Sequence, residues 1–327
     1  MENFKIDVDA DGIALITFDV PGRSMNTLTS GVMKEIPEWV ERVKTDDAIK
    51  GVVLTSGKAS GFCAGADLGD MAGGMLAGGS LQEAYDAGWK LNGALRALET
   101  CGKPVAAAIN GLALGGGLEL TLACHYRVVG DSPKIQLGLP EIKVGLFPGG
   151  GGTQRLPRLI GVHAAMMAMT EGKSFRPNDA KGAGFIHELV PVGTEIDAAK
   201  AWIKGGGKAV QPWDDKSFKL PGGGPYHPVG VQNFIVGNAM IRKQTYGNYP
   251  AATNLMSAVY EGMQVPMDAA LRIETRYFIK TLMTPQAQGM IRSLFLSKQE
   301  LDKGAVRPAG VPKLDPKKVT VLGAGMM

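Results

Sequence analysis

Asn110-Gly111-Leu112-Ala113-Leu114-Gly115-Gly116-Gly117-Leu118-Glu119-Leu120 is the stretch on which the fold turns. The apolar run before it, KPVAAAIN at 103–110, predicts a buried strand that ends at Asn110-Gly111. The triplet Gly115–Gly117 predicts the start of a helix. A helix N-terminus presents unpaired N–H groups and a partial positive charge, and glycine lets another molecule come close to that backbone. Strand, glycine turn and helix together make a seat for an oxyanion. Glu119 falls in the first helical turn among Leu118, Leu120, Leu122 and Ala123. Apolar neighbours strip water from a carboxyl and raise its pKa toward a range useful for acid–base work. A carboxylate at a helix start often only complements the helix dipole. The apolar flanks and the three glycines favour the chemical role here.

Upstream of this stretch, Phe4, Ile6 and Val8 alternate with polar residues, Asp9–Gly12 supplies a turn, and Ile13 to Phe18 follows, which predicts a hairpin. Thr29 is an N-cap candidate for a helix to about Lys44. Lys50 to Ser56 reads as a buried strand, and about 81–100 as a helix after a glycine-rich loop over 69–79. Strands alternating with helices predict an α/β domain with much parallel pairing. Downstream, 205–228 carries two GGG runs and four prolines and reads as a linker. Helices are expected at about 229–246, 251–264, 267–283 and 285–302. In the third of these, Met267, Ala270, Leu271, Phe278 and Leu282 share a core-facing stripe. A proline-rich linker over 305–316 precedes KKVTVLGAGMM, in which Lys317–Leu322 reads as a strand and Gly323 and Gly325 as the first two glycines of G-x-G-x-x-G. That pattern opens a dinucleotide-binding unit, so the chain is expected to be a piece of a longer protein that cannot bind NAD by this motif as it stands.

Composition narrows the function classes. Of 327 residues 46 are glycine, against an ordinary usage of about 7%, and no G-X-Y period accompanies them. Lys and Arg number 35 and Asp and Glu 31, a net charge of +4, too small and scattered to argue for nucleic acid. Cys63, Cys101 and Cys124 form no CxxC pair, which disfavours a disulfide scaffold or structural zinc and favours a reducing, cytoplasmic compartment. No apolar run is long enough for a membrane span. The four histidines have no metal-ligand spacing and read as structural or surface residues, no metal site is expected, and nothing near Cys63 marks it as a nucleophile. Neither a G-x-S-x-G elbow nor a phosphate-binding G-x-x-x-x-G-K-[ST] loop is present.

Two further glycine-rich segments share this character. One is Phe62-Cys63-Ala64-Gly65-Ala66-Asp67-Leu68. The other runs from Leu139-Pro140-Glu141 through Gly149–Gly152 to Gly161. Glu141 follows a proline and, alone, reads as a first-turn carboxylate; with Glu119 it makes a pair able to divide acid and base work. FCAGADL at 62–68, NGLALGGGLEL at 110–120 and LPEIKVGLFPGGGGTQRLPRLIG at 139–161, in this order and separation, resemble the crotonase (enoyl-CoA hydratase/isomerase) superfamily over about residues 1–200.

The resemblance implies an α/β fold with a ββα spiral core (1–204), followed by a linker and helical extension (205–304) and by a linker with a truncated first strand of a dehydrogenase domain (305–327). The later segments resemble the bifunctional class in which a hydratase precedes a 3-hydroxyacyl-CoA dehydrogenase. It further implies an oxyanion hole from the N–H groups of Ala66 and Gly116, catalysis by Glu119 and Glu141, and an acyl-CoA groove lined by Ala64, Gly65, Asp67, Leu68 and Gly115. The implied activity is hydration of trans-2-enoyl-CoA in fatty-acid β-oxidation. Glu119 acts toward water and Glu141 toward C2, with the split between them open. A Δ3-Δ2-enoyl-CoA isomerase on the same glutamates and a non-catalytic acyl-CoA-binding module are the alternatives. No cofactor is implied for this stretch, NAD belonging to the absent domain. The partners implied are acyl-CoA, further copies of the chain, and a thiolase subunit in the full-length complex.

Overall fold

The computed structural model describes residues 1–59, 61–76, 80–308, 310–312 and 314–323. β1 (Phe4–Val8) and β2 (Ile13–Phe18) form the expected antiparallel hairpin, in register from Phe4 opposite Phe18 to Val8 opposite Ala14. The Asp9 carboxylate closes its turn by accepting the N–H groups of Asp11 and Ile13. α1 (Ser30–Thr45) starts at Thr29, whose hydroxyl accepts the Val32 N–H at 3.2 Å.

A repeating unit follows. β3 (Gly51–Ser56) leads into the short β4 (Gly61–Cys63), then α2 (Leu68–Leu76) and α3 (Leu81–Glu99). β5 (Val105–Ile109) leads into β6 (Leu112–Leu114) and α4 (Gly116–Leu122), and β7 (Tyr126–Gly130) into β8 (Leu137–Gly138). With β9 at Ser174–Phe175 and β10 at Glu188–Val190, each first strand joins a six-stranded sheet in the order β1-β2-β3-β5-β7-β10, and each second strand a four-stranded sheet in the order β4-β6-β8-β9. Pairing is parallel except for β1 with β2 and β8 with β9. The chain thus winds from sheet to sheet once per repeat, the spiral that the resemblance implies.

After β8 come α5 (Gly152–Ile160), α6 (Val162–Glu171), β9 (Ser174–Phe175), α7 (Pro177–Ala183), β10 (Glu188–Val190) and α8 (Glu195–Lys204). The alternation within β3 and β5 explains why both read as uniformly apolar. Val52, Leu54, Val105 and Ala107 enter the main core, while Val53, Ala106 and Ala108 meet Ala199 and Ile203 of α8 on the opposite face.

The extension comprises α9 (Pro228–Thr245), α10 (Pro250–Gly262), α11 (Met267–Leu282), α12 (Pro285–Met290) and α13 (Lys298–Asp302). Its separation is one of chain, not of core. Leu255, Ala258 and Val259 of α10 join the same apolar cluster as Phe18, Trp39 and Leu98.

Three expectations need correction. The glycine-rich 69–79 segment is not all loop. Leu68–Leu76 is helical because the Asp67 carboxylate accepts the N–H groups of Gly69 and Asp70, both at 3.1 Å, as an N-cap; residues 77–79 lie outside the described residues. The helix expected over 285–302 is interrupted, with a π-helical stretch at Ile291–Ser297 joining α12 to α13. Lys317–Leu322 forms no strand. Val319, Val321 and Leu322 are 75%, 81% and 94% exposed, since an apolar alternation needs a sheet edge to pair with. Gly325, the second glycine of that motif, lies outside the described residues.

Candidate active site

One cavity of about 590 Å³ opens between α2, α3, the start of α4 and the far end of α11. Ala64, Gly65, Ala66, Asp67, Leu68, Gly115, Gly116, Glu119 and Glu141 all stand on its wall, so every site residue expected from sequence is brought to one place.

The two N–H groups expected to form the oxyanion hole are left free by local geometry. Leu28 forms an isolated parallel bridge with Ala66: its N–H donates to Gly65 O at 2.8 Å and its carbonyl accepts the Asp67 N–H at 3.1 Å. In a parallel bridge the residue between these two bonds turns its own N–H to the other side, and here that side is the cavity. Gly116 is the first residue of α4, so its N–H has no partner within the helix. Neither N–H makes a hydrogen bond among the described residues. The two segments touch closely: a Cβ on Gly65 (φ +97°) would lie 3.0 Å from Leu114 O and 3.5 Å from Gly116 N. A Cβ on Gly117 would lie 2.4 Å from Cys63 O. Buried Asn26 ties the other side, donating to Phe18 O and Phe62 O and accepting the Val20 N–H. Its backbone carbonyl accepts the Ala64 N–H. Sequence reading missed Asn26, because its partners become neighbours only when β2, β3 and β4 converge.

Glu119 is 3% exposed. Its Oε1 accepts the N–H groups of Gly150 at 2.7 Å and Gly152 at 2.8 Å. Burial, the Glu141 charge and the Glu274 charge push its pKa up, and the two amide donors pull it back. Glu141 opens a single 3-10 turn, Glu141–Val144. Its Oε1 lies 3.2 Å from where a Cβ on Gly115 would sit, and its Oε2 is shielded from water without a partner among the described residues. Burial pushes its carboxyl up to about 8. Both carboxyls are thus pushed up, Glu119 by the Glu141 charge as well as by burial; the Glu119 Oε1 has two amide donors, whereas the Glu141 Oε2 has none.

Cys63 and Cys124 are fully buried, and burial pushes both thiols up to about 12, which removes them as nucleophiles. His125 takes the Val105 N–H on Nδ1 and pairs with Glu99 O through Nε2; His187 stacks on Tyr126; His163 and His227 are exposed. Among the described residues, no group of three His, Cys, Asp or Glu is placed to hold a metal ion, and no helix is long and apolar enough to cross a membrane.

Two features were not legible in sequence. Phe278 and Leu282, expected in the core stripe of α11, pack against apolar clusters and also line the cavity with Ile279, Met283 and Phe295, so the extension forms its apolar end. Glu274 of α11 is fully buried beneath the Gly149–Gly152 run.

Residues 9–210 match the family described as Enoyl-CoA hydratase/isomerase. The whole chain aligns with proteins named fatty acid oxidation complex subunit alpha, at 39% identity in Shewanella frigidimarina and 40% in Shewanella amazonensis. It spans 45% of the length of each, a little under half. Among solved structures, an enoyl-CoA hydratase from Bacillus anthracis is 25% identical with a TM-score of 0.56, over 92% of this chain and 96% of that one. The human mitochondrial Δ3-Δ2-enoyl-CoA isomerase, 22% identical with a TM-score of 0.64 over 92% of this chain and 100% of that one, shares the fold. The family match takes in more than half of the residues, and the chain belongs to the enoyl-CoA hydratase/isomerase family.

Proposed function

We propose that this chain adds water across the 2,3 double bond of trans-2-enoyl-CoA, giving 3-hydroxyacyl-CoA in fatty-acid β-oxidation. The observation that carries this reading is the convergence of Glu119, Glu141 and the two unpartnered N–H groups of Ala66 and Gly116 on one cavity. The thioester oxygen sits between these N–H groups. As water attacks C3, negative charge builds on that oxygen, and each donor is worth about 3–4 kcal/mol to the transition state. Ionised Glu119 takes the proton that water loses, and protonated Glu141 delivers its own to C2. The glutamates exchange charge state and reset when the product leaves. Ala64, Gly65, Asp67, Leu68 and Gly115 flank the thioester, and the apolar end at Phe278 and Leu282 takes the acyl chain. The reading divides the chain into a catalytic unit (1–204), an extension (205–304) and the start of a further domain (305–327). By analogy with relatives named as subunits of a complex, it extends to a cytoplasmic location, self-association and assembly with a thiolase subunit.

The test follows loss of the enoyl thioester absorbance with crotonyl-CoA, then with a 3-enoyl-CoA. Glu119→Gln and Glu141→Gln are each expected to lose at least about 100-fold in kcat while still binding acyl-CoA. Near-wild-type turnover in either variant defeats the two-carboxylate scheme. Turnover confined to the 3-enoyl substrate assigns isomerase activity instead, and acyl-CoA binding without turnover assigns a binding module.

A further inference from the structure

The Gly150–Thr153 strap is held from two sides. The Gly150 and Gly152 N–H groups donate to Glu119, whereas the Gly151 and Thr153 N–H groups donate to Glu274, at 2.6 and 3.0 Å. Successive amides thus alternate between a carboxylate on the cavity and one that α11 inserts behind it. Glu274 uses both oxygens. Oε1 takes the Gly151 N–H and, at 3.3 Å, an Asn92 Nδ2 hydrogen, and Oε2 takes the Thr153 N–H and hydroxyl. Asn92 Nδ2 also reaches Gly149 O at 2.9 Å, and Arg155 Nη1 reaches Gly150 O at 2.9 Å, so the carbonyl side of the strap is fixed as well.

We propose that Glu274 is a positioning residue for hydration: by gripping the odd-numbered amides of the strap, it aims the even-numbered ones at Glu119 and so fixes the orientation of the carboxylate that acts on water. The inference rests on the hydratase reading. The argument is geometric. Four consecutive amides alternate between the two carboxylates as acceptors, so each carboxylate holds the strap from its own side. Loss of the back acceptor frees the strap to rotate and takes the two donors from Glu119 with it. No other described acceptor takes the Gly151 or Thr153 N–H. The charges facing Glu274 are Glu119 of α4, Glu141 of the 3-10 turn and Arg155 of α5, the last bound to Glu99 at 2.7 Å. The Glu274 charge acts on both site carboxyls, helping to push both up.

The test uses the whole chain with crotonyl-CoA and reads kcat, KM and the pH profile of kcat for wild type, Glu274→Gln and Thr153→Val. Glutamine keeps the volume of Glu274 but offers one acceptor oxygen where two are needed. Glu274→Gln is expected to lose about 100-fold in kcat at unchanged KM. With the negative charge gone, the alkaline limb of the profile moves about one pH unit lower. Thr153→Val, which keeps the Thr153 N–H but removes the hydroxyl that donates to Glu274 and accepts from Gln154 Nε2, is expected to lose about fivefold in kcat with the limb unmoved. A folded Glu274→Gln with wild-type kcat and an unmoved limb overturns the proposal, even if its melting temperature falls, since a merely structural role moves only the latter. If Glu274→Gln does not fold, Thr153→Val decides, and an unchanged kcat there overturns the proposal. A wild type without turnover defeats the hydratase reading and this inference with it, and is distinguished from the other results by that control.

Discussion

Replacing Glu141 by glutamine tests the electrostatics of the site without a substrate. In the folded chain burial pushes this carboxyl up to about 8, against 4.5 for an ordinary glutamate. A carboxyl whose pKa is raised by folding contributes stability that is fully present below its unfolded value, about 4.3–4.5. That contribution drains away as pH rises through its folded value near 8. Each pKa unit corresponds to about 1.4 kcal/mol, so between pH 5 and pH 9 wild type loses about 4 kcal/mol through this group when burial is complete. Glu141 keeps an edge toward the cavity, and solvent there trims the loss to about 2–3 kcal/mol. Glutamine cannot ionise and suffers no such loss. Glu274 titrates in both proteins, and removal of the Glu141 charge also relieves the upward push on Glu119, which favours the variant further at alkaline pH. Urea unfolding of wild type and Glu141→Gln at pH 5, 7 and 9 reads the difference directly. The variant is expected to be only slightly favoured at pH 5 and favoured by about 2–3 kcal/mol at pH 9. A gap constant to within about 0.5 kcal/mol across the series, or one that opens in favour of wild type, refutes the raised Glu141 carboxyl.

Gly117→Ala places a Cβ 2.4 Å from Cys63 O and 2.7 Å from Cys63 Cβ. It is expected to push β4 off the start of α4, costing about 1–3 kcal/mol in urea unfolding and about 100-fold in turnover as the Ala66 and Gly116 donors separate; wild-type values for both would show that this contact has room to relax. Arg155 and Glu99 form an ion pair with both side chains fully buried. Arg155→Ala is expected to cost about 3 kcal/mol in urea unfolding, at the low end of such losses because Arg96 remains within 3.3 Å of Glu99; a loss below about 1 kcal/mol would show that Arg96 and water suffice.

Much of the site was readable because it is local. The glycine triplet ahead of Glu119 fixes a strand-to-helix turn whose first N–H groups cannot be satisfied within the helix. The apolar residues around Glu119 guarantee its burial wherever that helix packs. Helix ends with capping residues, such as Thr29 for α1, were equally plain. Asp67 was missed as a cap because glycines after it lower helix propensity, and the backbone bonds that outweigh them are made by its own side chain. The strand expected at Lys317–Leu322 shows the opposite failure: the pattern is strand-like, but a strand exists only where another strand supplies bonds to its backbone.

The sequence by itself determined the alternation of strands and helices and the glycine turn that places Glu119 at a helix start, since these follow from residues close together in the chain, whereas the spiral, the pairing with Glu141 and the two N–H donors were implied by the resemblance. Only the tertiary structure decided what surrounds them. Asn26 joins strands up to 36 residues away, Glu274 reaches a strap 123 residues earlier in the chain, and Phe278 packs on the core while closing the cavity. A helix's periodicity says which face is apolar and not what that face will meet. A buried carboxylate, likewise, acquires its partners only from segments that the fold brings to it.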